Sequence, residues 1–255
     1  MDRQANHLEG VLENQSLIEN DLELGRVFKT NLSMREVAQL KAPTIKTAEE
    51  AILALKIGNA RFFGAQRLPS EFSAIDRRAQ ILTQTPFAVV LGCSDSRVPT
   101  EIIYDQQAGD LFVIRIAGNV VEAGTLGSIE YAINHLKTRV VVVMGHEGCG
   151  AVQAAMQDEA ERSFESQYIQ FLIDRIVPSV SKLPRIRDLK ARMREAVIAN
   201  VRMQVHQLKQ NQVVLEAMQK KEIAVIGAYY EISSGAVDFF ETEAELSIDD
   251  GEFSG

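Results

Sequence analysis

The stretch Val140-Val141-Val142-Val143-Met144 decides the fold of this chain. It is a continuous apolar run of strand length, and four of its members are β-branched, which predicts a strand buried on both faces. The runs Phe87–Leu91 and Leu111–Ile116 have the same character. Strands buried on both faces are typical of parallel sheets with helices on each side. The sequence therefore favours an α/β domain.

The segments between and after these strands supply the helices. Residues 128–137 have helical spacing, and a right-handed crossover through this helix makes the flanking strands parallel. A long helix is predicted over 189–220, followed by a strand over 223–229 and a short hairpin that ends at Phe240. The expected fold class is α/β, with a mainly parallel central β-sheet of about four parallel strands plus a C-terminal antiparallel strand, flanked by helices.

Three parts of the chain differ in composition. Residues 1–45 predict an N-terminal helical arm, 46–240 the folded domain, and 241–255 an acidic, solvated tail with six acidic residues and no basic one. Within the domain, Thr47 and Glu50 resemble a capping box at the start of a helix over 47–63.

Composition excludes several classes of protein. The 255 residues are 46% hydrophobic and 24% charged, as in ordinary globular proteins, and the net charge of -8 argues against a nucleic-acid partner. The longest apolar run, Val140 to Gly145, is far shorter than a membrane span, so no membrane span is expected. The first 25 residues carry six acidic side chains and lack the apolar core of a signal peptide, so the expected location is cytoplasmic.

Both cysteines of the chain lie in short motifs with a second metal donor. The motifs are Cys93-Ser94-Asp95-Ser96-Arg97 and His146-Glu147-Gly148-Cys149, and each follows a predicted strand. The carboxyl ends of parallel strands meet at one edge of a sheet, so the motifs should meet there. Thiolate, imidazole and carboxylate are the donors that zinc prefers. Each motif alone fits a buried structural cysteine better than a metal site, and it is the conjunction of the two motifs that favours zinc, with a disulfide as a minor alternative.

The spacing of the donors leaves two kinds of zinc site open. Cys93 and Asp95 are two residues apart in extended chain and can face one metal, while His146 and Cys149 are expected to lie about one helical turn apart. Four protein ligands make a closed, structural site. If Arg97 holds Asp95 in an ion pair, three ligands remain, and the open fourth position is the catalytic arrangement.

In several motifs the chain resembles the β-class carbonic anhydrase family. The resemblance covers about Ala48 to Phe240 and rests on five motifs in order: Cys93-Ser94-Asp95-Ser96-Arg97-Val98, Gly109-Asp110-Leu111-Phe112-Val113-Ile114-Arg115, Ala117-Gly118-Asn119, Ser128-Ile129-Glu130-Tyr131-Ala132 and Gly145-His146-Glu147-Gly148-Cys149-Gly150-Ala151-Val152. It implies reversible hydration of carbon dioxide to bicarbonate and a proton, by attack of zinc-bound hydroxide on CO2.

The resemblance also assigns roles to residues. It implies one Zn²⁺ per chain on Cys93, His146 and Cys149, with the Asp95–Arg97 dyad orienting the hydroxide and Asp95 as an alternative fourth ligand in a closed state. The substrate pocket of CO2 and bicarbonate would include Gln84, Phe112 and Tyr131, the last two often placed across a dimer interface in this family. For these two, core packing is an equal alternative, and Gln84 could equally be a surface amide.

The resemblance implies a homodimer or a dimer-based higher oligomer. The family's bicarbonate-regulated branch has a tryptophan three residues before the first cysteine. Here that position is Val90, which favours an open resting form. Three other functions stay open: a structural zinc domain, a related hydrolase acting on carbon disulfide or carbonyl sulfide, and a non-catalytic bicarbonate sensor.

Overall fold

The computed structural model describes residues 44–68, 81 and 83–240. Its centre is a five-stranded sheet of order β2-β1-β3-β4-β5. The strands are β1 (Ala88–Gly92), β2 (Leu111–Arg115), β3 (Val140–His146), β4 (Ala224–Tyr230) and β5 (Val237–Phe240). The first four strands pair in parallel and β5 pairs antiparallel to β4, which confirms the predicted fold class.

Helices cover both faces of this sheet. The longer ones are α1 (Ala48–Phe63), α3 (Ala123–Tyr131), α6 (Gln167–Asp174), α8 (Leu189–Lys209) and α9 (Gln212–Gln219). The shorter ones are α2 (Thr100–Ile103), α4 (Gly150–Ala155), α5 (Glu159–Arg162) and α7 (Val177–Val180), with a 3₁₀ turn over Ala117–Asn119 and a π-helical turn over Ala132–Leu136.

The central strands β1 and β3 are buried on both faces, as the apolar run at 140–144 predicts. Every residue of β1 and β3 is buried, and alternate side chains of β1 face opposite layers. Val90 packs in the cluster that contains Leu55 of α1, whereas Leu91 packs in the cluster that contains Ile129 of α3 and Leu208 of α8. Each apolar strand thus joins two helical layers, as parallel sheets require.

The first helix begins as its sequence predicts. Thr47 is the N-cap of α1, and its hydroxyl accepts a hydrogen bond from the Glu50 backbone N–H at 3.2 Å. The Glu50 carboxylate accepts from the Thr47 N–H at 2.8 Å, which completes the capping box.

Two helices differ from the prediction. The helix expected over 128–137 begins earlier, at Ala123, because Glu122 caps it by accepting from the Thr125 N–H. The long helix expected over 189–220 is two helices. The Asn211 side chain accepts hydrogen bonds from the N–H groups of Val213 and Val214, so it starts a new helix where a continuous one was predicted.

The predicted arm, apart from residues 44 and 45, and the predicted acidic tail lie outside the described residues. The division into arm, domain and tail therefore stays a prediction. In the described ranges, no helix is both long enough and apolar enough to cross a bilayer.

Candidate active site

The two cysteine motifs meet at the carboxyl edge of the sheet. Cys93 directly follows β1, and His146 is the last residue of β3. These strands are parallel neighbours, with Gly92 paired to Met144, so their ends lie side by side. His146 and Cys149 lie at a strand-to-helix turn, as their motif predicts, but the residues between them are not helical. Cys149 is the N-cap of α4, and Gly148, at φ +66°, reverses the chain between the two donors.

Three donor atoms converge at this edge. The Sγ atoms of Cys93 and Cys149 and a ring nitrogen of His146 all lie within 4.8 Å of one another, and all three residues are buried. The two Sγ atoms are 4.0 Å apart, about twice a disulfide bond length, so both cysteines are free. Two thiolates on one tetrahedral zinc ion are separated by about 3.8 Å, from Zn–S bonds of about 2.3 Å. The spacing therefore fits a shared zinc ion.

The imidazole of His146 presents a free nitrogen to this cluster. Its Nδ1 lies 3.0 Å from the backbone carbonyl of Glu147, which can only accept, so Nδ1 carries the proton. Its Nε2 is buried and has no hydrogen-bond partner among the described residues. A buried lone pair without a donor is unfavourable unless a cation takes it. The donor set thus fits Zn²⁺, the cofactor that the resemblance implies.

The surroundings favour ionised sulfur at Cys93. The facing thiol of Cys149 is the main cause that lowers the pKa of Cys93, helped by His146 and by the backbone N–H of Gly118 at 3.4 Å from Sγ. The pKa of Cys149 is raised, because it faces the Cys93 sulfur and is buried. The two opposite shifts share one main cause, the close approach of the two sulfur atoms, and a cation bound between them would favour the thiolate form of both.

Asp95 lies beside the cluster but is turned towards Arg97. The Arg97 guanidinium donates to Oδ1 at 3.0 Å and to Oδ2 at 2.8 Å. These hydrogen bonds are the main cause that holds the pKa of Asp95 well below its usual range, so the carboxylate stays ionised. Its Oδ2 is 3.9 Å from Nε2 of His146. The carboxylate is thus close to the donors without belonging to their cluster.

Arg115 and Gly118 hold the Cys93 loop, although the sequence predicted no role for either of them. Arg115, at the end of β2, donates to the carbonyl of Cys93 at 3.1 Å and to that of Asp95 at 2.5 Å. Gly118 donates to the sulfur, and Asn200 of α8 binds the Gly118 carbonyl at 2.9 Å. Both Arg115 and Gly118 fall in motifs of the resemblance, but their contacts depend on strand register and helix packing.

Of the three residues expected in the substrate pocket, two form an aromatic pair and the third is exposed. Phe112 and Tyr131 form a pair with ring centroids 6.3 Å apart, and the Tyr131 ring also faces His135 at 5.0 Å. Tyr131 is 47% exposed, so it is not a core residue. Gln84 is exposed and makes no hydrogen bond within the described ranges, which leaves its role a prediction.

Comparisons with known proteins agree with this geometry. The model of the carbonic anhydrase family matches residues 88–237. The carbonic anhydrase of Mycolicibacterium smegmatis is 38% identical over 192 residues, which cover 72% of this chain and 89% of that protein.

Solved structures show the same fold. One described as a tetrameric β-carbonic anhydrase of Sordaria macrospora has a TM-score of 0.58 at 27% identity, covering 65% of this chain and 88% of that one. The Coccomyxa β-carbonic anhydrase in complex with acetazolamide has a TM-score of 0.57 at 25% identity, covering 63% and 74%. The chain belongs to the β-class of the carbonic anhydrase family of zinc-dependent enzymes.

Proposed function

We propose that the protein catalyses the reversible hydration of carbon dioxide to bicarbonate and a proton, with Zn²⁺ held by Cys93, His146 and Cys149. The observation that carries this proposal is the position of Asp95. Its carboxylate lies within 4 Å of the donor cluster yet is bound by Arg97. Three protein ligands then leave a fourth zinc position for solvent, as catalytic zinc sites have.

The chemistry divides between the metal and the chain. Zn²⁺ supplies Lewis acidity that makes a water molecule acidic enough to act as a nucleophile near neutral pH. Asp95, kept ionised by Arg97, accepts a hydrogen bond from the attacking water and orients its lone pair towards the carbon of CO2. Arg97 keeps the carboxylate in this position. Cys93 and Cys149 as thiolates contribute two negative charges, which balance the charge of Zn²⁺. We therefore assign Asp95 the role of orienting the water through a hydrogen bond, rather than of adding negative charge at the metal.

Asp95 also offers the route to a closed state. If the hydrogen bonds from the Arg97 guanidinium and from its backbone N–H are lost, the carboxylate is free to turn to the metal and to become a fourth ligand. We therefore assign the open form to the resting protein. Val90 at the position of the regulatory tryptophan supports this assignment.

The substrate would enter beside the aromatic pair. Phe112 lies on β2, an edge strand of the sheet, and Tyr131 is half-exposed next to it. A second subunit placed against this edge would cover both rings and close a small apolar pocket around CO2, with Gln84 as the amide that binds substrate. This placement supports a homodimer or a dimer-based higher oligomer, such as the tetramers described for Sordaria macrospora.

A cytoplasmic location completes the proposal. The two free, buried thiols of Cys93 and Cys149 support it, because unpaired cysteines suit a reducing compartment.

Zinc content and CO2 hydration rate, measured together by metal analysis and stopped flow, test the proposal. We expect about one zinc per chain, and inhibition by acetazolamide, which the Coccomyxa relative binds. Asp95→Asn should retain zinc but lose about a hundredfold in rate. Cys149→Ser should lose both, and Lys220→Ala, an exposed site elsewhere, should change neither.

Two results would contradict the proposal. Full zinc and full rate in Cys149→Ser would overturn the ligand assignment. A zinc-loaded parent protein without hydratase activity would make the centre a structural zinc site instead.

A further inference from the structure

A cavity of about 530 Å³ lies apart from the metal cluster. It opens near the C-terminal end of α4, whereas Cys149 caps the N-terminal end of this six-residue helix. The two places are therefore separated by about 9 Å of helix. The volume is within the range of ligand pockets. Nothing in the catalytic proposal uses this cavity.

The cavity has an apolar wall and a rim of three arginines. The apolar lining includes Met156, Val177, Val180, Leu183 and Ile186. The rim carries Arg162, Arg185 and Arg192. A pocket of this kind suits an anion with an apolar body, because the guanidinium groups bind carboxylates while the lining covers aliphatic groups.

Two of these arginines are available for a ligand. The Arg162 guanidinium donates to the backbone carbonyl of Gln157 at 2.5 Å. Arg185 and Arg192 are exposed and have no carboxylate partner in the described part of the chain. They contrast with Arg194, two residues after Arg192, which binds Asp238 at 2.8 Å.

The charge around the cavity is opposite to that of the whole protein. Residues 182–194 contain six basic side chains and one acidic one, in a chain of net charge -8. The segment that follows β5 has the complementary composition. Its acidic residues are Glu241, Glu243, Glu245, Asp249, Asp250 and Glu252, and its apolar ones include Ala244, Leu246, Ile248 and Phe253. This segment has the chemistry of the ligand that the cavity suits.

The geometry brings this segment within reach. The ion pair from Arg194 to Asp238 places β5 against α8, and the Phe240 ring lies 5.8 Å from the Arg202 guanidinium of the same helix. Ten residues separate Arg192 from Arg202 in α8, about 15 Å along the axis. The 15 residues after Phe240 span up to about 50 Å when extended. The tether also keeps the effective concentration high, in the millimolar range.

We propose that the acidic segment Glu241–Gly255 docks into the arginine-rimmed cavity of its own chain, with its carboxylates on Arg185 and Arg192 and its aliphatic side chains against the apolar wall. The ligand site is thus an intramolecular one for an anionic peptide. The proposal does not depend on the hydration chemistry.

Hydrogen exchange by mass spectrometry of the full-length, zinc-loaded protein tests this. One variant replaces the six acidic residues of the segment by Gln or Asn, and another is Arg185→Glu with Arg192→Glu. In both, amides in residues 181–188 should exchange at least about fivefold faster than in the parent protein. The parent should show the same acceleration at high salt, because the contacts are screened ion pairs. Lys137→Glu with Lys220→Glu, two exposed sites elsewhere, is the matched control and should exchange like the parent.

The neutralised segment decides the question even if the arginine reversals disturb the fold, because its substitutions lie outside the domain. Unchanged exchange over 181–188 in that variant would overturn the proposal. Protection that appears only as the protein concentration rises would assign the cavity to a second copy of the chain and would also overturn it.

Discussion

Gly118 is the residue whose substitution most directly tests how the chain holds its metal ligands. Its φ is +72°, in the left-handed region, and its backbone N–H donates to the sulfur of Cys93. A Cβ at this position would lie 2.5 Å from Cδ1 of Ile176 and 3.2 Å from Cβ of Ala151. Gly118→Ala therefore combines backbone strain with a steric clash beside the proposed zinc ligand Cys93.

The two contributions can be separated within this protein. Gly148 has a similar φ of +66°, but in the described ranges nothing lies within 4 Å of its missing Cβ. Gly148→Ala should therefore show only the left-handed strain, about 1–2 kcal/mol. Gly118→Ala should add about 1–3 kcal/mol of overpacking, for a total loss of about 2–5 kcal/mol in unfolding free energy. Ile176→Val removes the clashing methyl group and should restore part of the steric loss in Gly118→Ala.

Urea unfolding at fixed protein and zinc concentration measures these differences, and zinc retention against a chelator reports on the site. Gly118→Ala should release zinc faster than Gly148→Ala if displacement of the N–H weakens its contact with Cys93. The reasoning is refuted if Gly118→Ala and Gly148→Ala are equally stable, or if Ile176→Val leaves the cost of Gly118→Ala unchanged.

Three further changes have defined outcomes. The pKa of Glu122 is lowered, chiefly by backbone N–H groups at the start of α3, so its charge stabilises the fold above about pH 4.5, and this stabilisation is lost as pH falls through the lowered value. Glu122→Gln should thus lower the unfolding free energy by about 0.3–1 kcal/mol at pH 7, with the difference from the parent shrinking in acid denaturation below about pH 4. Asn59 is buried and binds two backbone carbonyls and the Val237 N–H, so Asn59→Ala should destabilise by about 2–4 kcal/mol in urea, and a loss under 0.5 kcal/mol would contradict this. Removal of zinc by a chelator should lower the thermal midpoint, because metal that binds only the folded state stabilises it, and the midpoint should return when zinc is added back.

The strands, and the meeting of the two cysteine motifs, could be predicted because both depend on local patterns. An apolar run such as 140–144 has no exposed face, and this alone places it inside a sheet. Cys93 and His146 were found because each comes at the end of such a run, where parallel strands bring distant residues together. The pairing of Asp95 with Arg97 followed from a spacing of two residues.

The remaining features depend on contacts between distant parts of the chain. Arg115 binds the Cys93 carbonyl only because Gly92 and Arg115 are paired in the register of β1 and β2. Asn200 reaches the Gly118 carbonyl from α8, 82 residues away in sequence. The break at Asn211 is local, but an asparagine inside a helical pattern becomes an N-cap only when the packing on either side requires a change of direction.

The contacts of the Cys93 loop also indicate what a change between open and closed forms would involve. Arg115 holds the backbone carbonyls of Cys93 and Asp95, so the loop is fixed independently of the Asp95 side chain. The carboxylate is already 3.9 Å from the histidine nitrogen. A move of the carboxylate to a bound cation would thus need a rotation of the Asp95 side chain and loss of its hydrogen bonds from Arg97, whereas the Arg115 contacts could stay in place. Because Arg97 alone donates to this carboxylate within the described ranges, through its guanidinium and its backbone N–H, we expect the balance between the two forms to follow these three hydrogen bonds.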